Sequence, residues 1–139
     1  MPGYFKNEAA TAETIIGDWL HTGDIGYYDQ NGHVFYLDRK KELIKVKGFQ
    51  VAPAELEDLL RTLAGVKDVA VIGVPDERAG EAPRAFIVPS SADVSVESVQ
   101  EFLSGRLAKY KQLTGGIVIM ESLPKSPTGK VLRKELRAL

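Results

Sequence analysis

Lysine is the recurrent reactive side chain of this sequence, and two stretches place it where a loop can aim it. The first, residues 124–130 (PKSPTGK), ends on Lys130 after Pro124, Pro127 and Gly129, which shape an exposed loop. An apolar-periodic tail follows and can anchor that loop as a helix. A fixed ammonium is a compact point charge, suited to stabilising negative charge that builds on phosphoryl oxygens. Taken alone, Gly-Lys before a helix is an ordinary solvated turn. Nor is it a Walker A loop: the first glycine is absent, and Val131 stands where Ser or Thr would bind magnesium. The second stretch, residues 37–57, reads LDRKKELIKVKGFQVAPAELE. Within it Lys45, Lys47, Gly48 and Gln50 lie on and beside one tight hairpin, and Gly48, lacking a Cβ, lets its backbone approach a ligand closely. On alternation alone these residues describe a half-exposed strand with a basic outer face.

The elements that must position these groups fall into two regions. Residues 1–38 read as a small β-rich appendage. Runs at 19–28 and 33–38 flank Asp29-Gln30-Asn31-Gly32, and Asn-Gly between apolar runs signals a hairpin whose two turn positions need positive φ. A calcium loop is excluded at residues 29–32, because the alternating acidic ligands and distal Glu are missing. From residue 39 to 139 the pattern is mixed. Strands are expected at 43–46 and 49–52, and Pro53 suits the first position of a helix with Leu56, Leu59, Leu60 and Leu63 inward, stopped by Gly65. Buried strands are expected at 69–74 and 85–88, and a strand at 117–120. Ser95 caps a helix with Val99, Phe102, Leu103 and Leu107 inside. A last helix from Lys130 onward puts Leu132, Leu136 and Leu139 on one face. The expected fold class is α+β: a compact domain with a two- or three-stranded core sheet and three helices, preceded by a β-hairpin appendage.

Composition excludes several functions. With 44% hydrophobic and 27% charged residues the chain is too apolar for wholesale disorder. A net charge of −1 gives no general attraction to nucleic acid or membrane, and the basic tail lacks the interleaved aromatics of a nucleic-acid binder. Its cations are read as partly catalytic and partly as favourable placement towards a helix C-terminus. With no cysteine there is no disulfide, thiolate nucleophile or Cys-based zinc site. His21 and His33, without clustered carboxylate partners, are read as structural, so no metal site is expected.

With Thr22-Gly23-Asp24 ahead of them, the two lysine motifs resemble the closing motifs of adenylate-forming enzymes. They are most similar to the branch of 4-coumarate–CoA ligases, luciferases and acyl-CoA synthetases. The resemblance runs from Gly3-Tyr4-Phe5 to the end, and it implies that residues 39–139 are the C-terminal lid domain of such an enzyme. Residues 1–38 would then be the end of a large N-terminal domain whose Ser/Thr/Gly-rich phosphate loop and acyl pocket do not occur in these 139 residues. The fragment alone is expected to be inactive, and Met1-Pro2-Gly3 reads as a start inside a longer frame.

The implied reaction is carboxylate plus ATP to acyl-adenylate and pyrophosphate, then a thioester with coenzyme A, with magnesium accompanying ATP. Residue by residue, the resemblance gives Lys130 the bound acid and the α-phosphate, and Asp24 and Arg39 the nucleotide ribose. Lys41 takes the hinge between two domain poses. Lys47 and Gly48 take the pantetheine channel of coenzyme A, and Lys45 and Gln50 the acyl-adenylate during thioester formation. By the same resemblance, Lys41 and the segment Phe49-Gln50-Val51-Ala52-Pro53 point to the coumarate-ligase and luciferase side, away from peptide-synthetase adenylation domains. Two alternatives stay open: a free-standing lid-like binding module, and part of a luciferase-like or carrier-protein-loading enzyme. A cytoplasmic location is the expectation.

Overall fold

The computed structural model describes all of residues 1–139. The chain forms two compact units, Met1–Lys41 and Glu42–Leu139. The boundary expected after residue 38 lies three residues earlier. Arg39 is still paired with Asp24 in a ladder, and the Lys40 N–H donates to Gly23 O at 2.8 Å, so both belong to the first unit.

The first unit opens with a helix that the β-rich reading missed, α1 (Glu8–Thr14). The Ala10 N–H donates to Asn7 Oδ1 at 3.0 Å, which caps it, and alanines at 9, 10 and 12 favour it. None of its residues is buried, so there was no apolar stripe to read. β1 (Ile15–Ile16) pairs antiparallel with β2 (Trp19–Leu20), and β3 (Asp24–Tyr28) with β4 (Val34–Arg39). The run expected at 19–28 is therefore split, Trp19 and Leu20 belonging to a separate ladder.

The turn between β3 and β4 also departs from the expected form. Only Gly32 has positive φ (81°), and Asn31 does not. The Asp29 N–H donates to His33 O at 3.0 Å and the Gly32 N–H to Asp29 O at 3.1 Å, which makes a three-residue loop ending on a left-handed glycine. Asp29 selects it: its Oδ1 accepts from the Asn31 and His33 N–H groups at 2.8 and 2.9 Å. Asp38 is the only buried residue of this unit, so these 41 residues enclose no apolar core of their own.

The second unit is built on a long hairpin, β7 (Val66–Asp76) and β8 (Gly80–Pro89), paired without interruption from Asp68 to Asp76. Its turn is set by Asp76, whose Oδ1 accepts from the Arg78 and Ala79 N–H groups at 2.9 and 2.7 Å. The other edge of β8 is shared. β5 (Ile44–Val46) joins it at Gly80, carrying β6 (Phe49–Val51) outside, and β9 (Gly116–Ile119) runs parallel to it at Arg84–Ile87. The sheet thus has five strands in place of the two or three expected. Polar and Pro-containing strand ends hid part of it, and a parallel partner supplied from thirty residues away leaves no local signal.

Alternation along β7 and β8 sorts the core into two layers. Val69, Val71, Ala85 and Ile87 face one side with Leu56 and Leu60 of α2 (Pro53–Arg61) and Val99 and Leu103 of α3 (Val96–Leu103). Ala70, Ile72, Phe86 and Val88 face the other with Leu123 and, from α4 (Arg133–Leu136), Leu136. α2 ends at Arg61, four residues before Gly65, while α3 begins at Ser95 as expected, with the Ser98 N–H on Ser95 Oγ and the Ser95 N–H on Ser98 Oγ. The tail departs most: α4 is a single turn, Leu136 is fully buried, and Leu139 is 74% exposed.

Leu60→Ala should cost about 2–5 kcal/mol by opening a cavity under α2, which lowers the melting temperature by at least about 10 °C. Leu139→Ala should change stability by no more than about 0.5 kcal/mol. Thermal unfolding followed by circular dichroism checks both, and an equal loss for the two would mean that the terminal leucine is packed.

Candidate functional site

In the first unit the β3–β4 register sets Asp24 directly opposite Arg39, with Arg39 Nε 3.6 Å from Asp24 Oδ1. The Asp24 N–H donates to Thr22 Oγ1 at 3.2 Å, which fixes the start of the strand. Both charged side chains remain exposed, and they line a cavity of about 690 Å³ together with His21, Thr22, Lys40 and Lys41. A carboxylate acceptor beside a guanidinium donor can engage a pair of hydroxyl groups. Lys41 is the last residue of this unit. His33 is occupied by Asp29, with Nδ1 3.0 Å from Oδ2. That bond is the main cause holding the Asp29 carboxyl below its usual range, the His33 N–H adding to it.

In the second unit the β5–β6 hairpin turns on Lys47 and Gly48, at φ 50° and 83°. Two consecutive positive values define the turn that matches the twist of its strands, and a lysine, not a glycine, occupies its first position. Nothing lies within 4 Å of where a Gly48 side chain would stand, so this backbone faces open space. Alternation does the rest. Ile44, Val46 and Val51 are buried, while Lys45 and Gln50 sit directly across the ladder from each other on the exposed face. The hairpin is tied down at three points: the Lys45 N–H donates to Glu81 Oε2 at 2.7 Å, the Lys47 N–H to Ala79 O at 2.8 Å, and Phe49 stacks on Tyr110 at 4.6 Å between ring centroids.

Lys130 stands on a second small turn in the same unit. The Ser126 N–H donates to Lys130 O at 2.8 Å and the Lys130 N–H returns to Ser126 Oγ at 3.1 Å. Gly129, at φ 83°, donates its N–H to Ser126 O at 2.8 Å, and the Ser126 and Thr128 hydroxyls lie 2.8 Å apart. The backbone of residues 126–130 is therefore closed on itself while the Lys130 side chain is exposed and in no ion pair. Such a loop can present a cation to an anionic ligand with little ordering left to do.

The structure adds ion pairs to the reading of the basic tail. Arg133 and Lys134 lie in the single turn of α4 and Arg137 stands at its C-cap. Lys125 is bound to Asp68 at 2.5 Å, Arg133 to Glu57 at 2.8 Å and Arg137 to Glu42 at 2.8 Å. Glu57 had not been singled out at all. It directly follows Leu56 in the helical stripe, where a glutamate reads as the edge of the solvent face, yet its side chain is 8% exposed.

The family of AMP-binding enzyme C-terminal domains matches residues 55–130. The chain is 53% identical over 140 residues to 4-coumarate–CoA ligase 1 of Arabidopsis thaliana, covering 99% of this chain and 25% of that protein. It is 51% identical to 4-coumarate:CoA ligase 1 of Petunia hybrida, covering 99% and 26%. Among solved structures it is similar to ATP-bound MatB from Rhodopseudomonas palustris, with a TM-score of 0.89, 34% identity, and 98% of this chain against 27% of that one. It is equally similar to o-succinylbenzoate CoA synthetase from Bacillus subtilis in complex with its acyl-adenylate intermediate, with a TM-score of 0.88, 34% identity, and 97% against 28%. The chain thus spans about a quarter of the length of the relatives it matches. A five-stranded sheet carrying the Lys47-Gly48 turn and the Lys130 loop, and that match over residues 55–130, lead to one conclusion: the chain belongs to the family of AMP-binding enzyme C-terminal domains.

Proposed function

We propose that these residues are the C-terminal part of a 4-coumarate–CoA ligase-like enzyme that joins a carboxylic acid to coenzyme A at the expense of ATP. The observation that carries this reading is the pair of separately built lysine loops on one small domain, one for each half of such a reaction. In the first half a carboxylate oxygen attacks the α-phosphorus, the bond to the β-phosphate breaks, and pyrophosphate leaves. Charge builds on the phosphoryl oxygens, and Lys130, exposed on its closed loop, supplies the countercharge. Asp24 and Arg39 hold the ribose hydroxyls. In the second half the thiol sulfur of coenzyme A attacks the acyl carbonyl, its proton passes to solvent, and AMP leaves. The open backbone at Lys47-Gly48 takes the pantetheine arm, and Lys45 and Gln50 face the adenylate from one side of the hairpin. Lys41, where the chain passes from one unit to the next, is the residue whose torsions turn between the two halves. Magnesium would enter with ATP, and no group of three His, Asp or Glu side chains here is placed to hold a metal ion, so no step is assigned to it. The location we propose is the cytoplasm.

Grafting these residues in place of the corresponding quarter of a 4-coumarate–CoA ligase tests the reading directly. The chimera should exchange pyrophosphate into ATP in the presence of 4-coumarate, and the 139 residues alone should not. A correctly folded chimera without exchange would count against it.

In that chimera Lys130→Ala should lower the adenylation rate by about 10²–10³, or roughly 3–4 kcal/mol, and spare thioester formation from preformed adenylate. Single-turnover measurements separate the steps, and equal losses in both would make Lys130 structural.

Gly48→Leu should have the opposite profile, impairing thioester formation while pyrophosphate exchange stays nearly intact. Because φ at Gly48 is 83°, any side chain there also strains the turn. Gly48→Asn is the control, since Asn tolerates that conformation better and still adds bulk. Wild-type thioester rates in both variants would remove the hairpin from the coenzyme A channel.

A further inference from the structure

β7 has β8 on one side and no strand on the other. An open edge presents backbone groups that need partners, and at Val71 two side chains provide them. Glu57 Oε1 accepts from the Val71 N–H at 2.8 Å, and Arg133 Nη1 donates to Val71 O at 2.6 Å. Arg133 Nη1 also donates to the same Glu57 Oε1 at 2.8 Å, so carboxylate, guanidinium and peptide close a ring. Arg61 approaches the other carboxylate oxygen at 3.6 Å. The Glu57 side chain is 8% exposed and that of Arg133 22%. A buried pair of this kind is a poor source of net stability but admits very little geometric freedom. A second brace stands three residues along the same strand, where Lys125 Nζ meets Asp68 Oδ2 at 2.5 Å.

The two braces bracket the Lys130 loop. Lys125 immediately precedes Ser126, and Arg133 follows Lys130 by three residues. The backbone hydrogen bonds inside the loop, including the Leu132 N–H on Pro124 O at 2.8 Å, fix its shape and leave its orientation to its two ends. The ends are held on β7 by Asp68 and by the Glu57–Arg133 ring. We infer that Glu57 and Arg133 are positioning residues for Lys130: they clamp its loop to the edge of β7 so that the ammonium meets the phosphoryl group at a fixed place. This rests on the role proposed above for Lys130. A misplacement of about 1 Å at a reacting centre can cost about 10²-fold in rate, so the clamp acts on rate far more than on affinity. One guanidinium nitrogen, Nη1, reaches carboxylate and carbonyl together, at the end of a side chain one atom longer than that of lysine, so a lysine ammonium would fall short of both.

The test compares Arg133→Met and Glu57→Gln with Leu103→Ala in the chimera. Leu103→Ala removes a buried side chain of α3 and leaves the clamp intact, so it controls for lost stability. Arg133→Met should lower kcat for adenylation about 10–100-fold, with KM for ATP little changed and thioester formation from preformed adenylate preserved. Glu57→Gln keeps an acceptor for Val71 and should show a smaller loss with the same split. Arg133→Lys should recover only part of the rate. In the 139-residue chain, amide exchange at Val71 and Leu132 should quicken in Arg133→Met while Leu60 stays protected. The inference is overturned if both half-reactions fall together, if Leu103→Ala gives the same split, or if Arg133→Met keeps full adenylation while Lys130→Ala loses it. Should Lys130→Ala itself keep full adenylation, the role of Lys130 falls and the clamp's catalytic role falls with it.

Discussion

A strand that is apolar on both faces has to be covered on both, and β7 and β8 are strands of this kind. Val69, Val71 and Ile87 on one side and Ile72, Phe86 and Val88 on the other are all buried. α2 and α3 meet the first demand, and the C-terminal tail meets the second. The hairpin of Lys47 hangs from the far end of β8 at Gly80, and the loop of Lys130 lies against the outer edge of β7. Both lysine turns therefore take their bearings from one ladder, and neither needs an apolar core of its own.

The burial of charge follows from the same ladder. The outer edge of β7 would expose the peptide groups of Val71 beneath the helix layer, and Glu57 reaches them from α2. Once its carboxylate is inside, a cation must accompany it, because an isolated buried charge is far costlier than a paired one. Arg133 is that cation, and it arrives from 76 residues further along the chain. The tail is thus drawn to the sheet by polarity at one point and by Leu136 at another, and the chain between and before them has only a short path to follow.

What could be read in the sequence was whatever depends on neighbours in the chain. Lys47-Gly48 between two short apolar runs needs a turn, and both residues adopt positive φ. Pro53 opens α2 at its first position, and Ser95 caps α3 through hydrogen bonds with Ser98 three residues on. The errors have equally local causes. Asp29, through two hydrogen bonds, prefers a longer loop to the Asn-Gly turn, and α1 forms with no buried face to mark it. Leu139 kept the helical spacing after the helix had ended. Candidate residues were legible as motifs, whereas the partners that fix them were not. Asp68 and Lys125, or Glu57 and Arg133, are separated by more than fifty residues and meet only once the sheet exists.

The parallel placement of β9 bears on the order in which the molecule assembles. Antiparallel β7 and β8 can zip from their own turn, but β9 reaches Arg84–Ile87 only after the chain has crossed over through α3. Closing so long a loop carries an entropic cost before its ladder repays it, so β9 is a late event. The tail follows β9 in the chain and needs a finished β7 edge to land on. On a chain emerging from its N-terminus, the lysine turn at residues 47–48 is complete while the one at residues 126–130 has yet to find its place. The two lysine turns are thus acquired in succession, the one at residues 126–130 last.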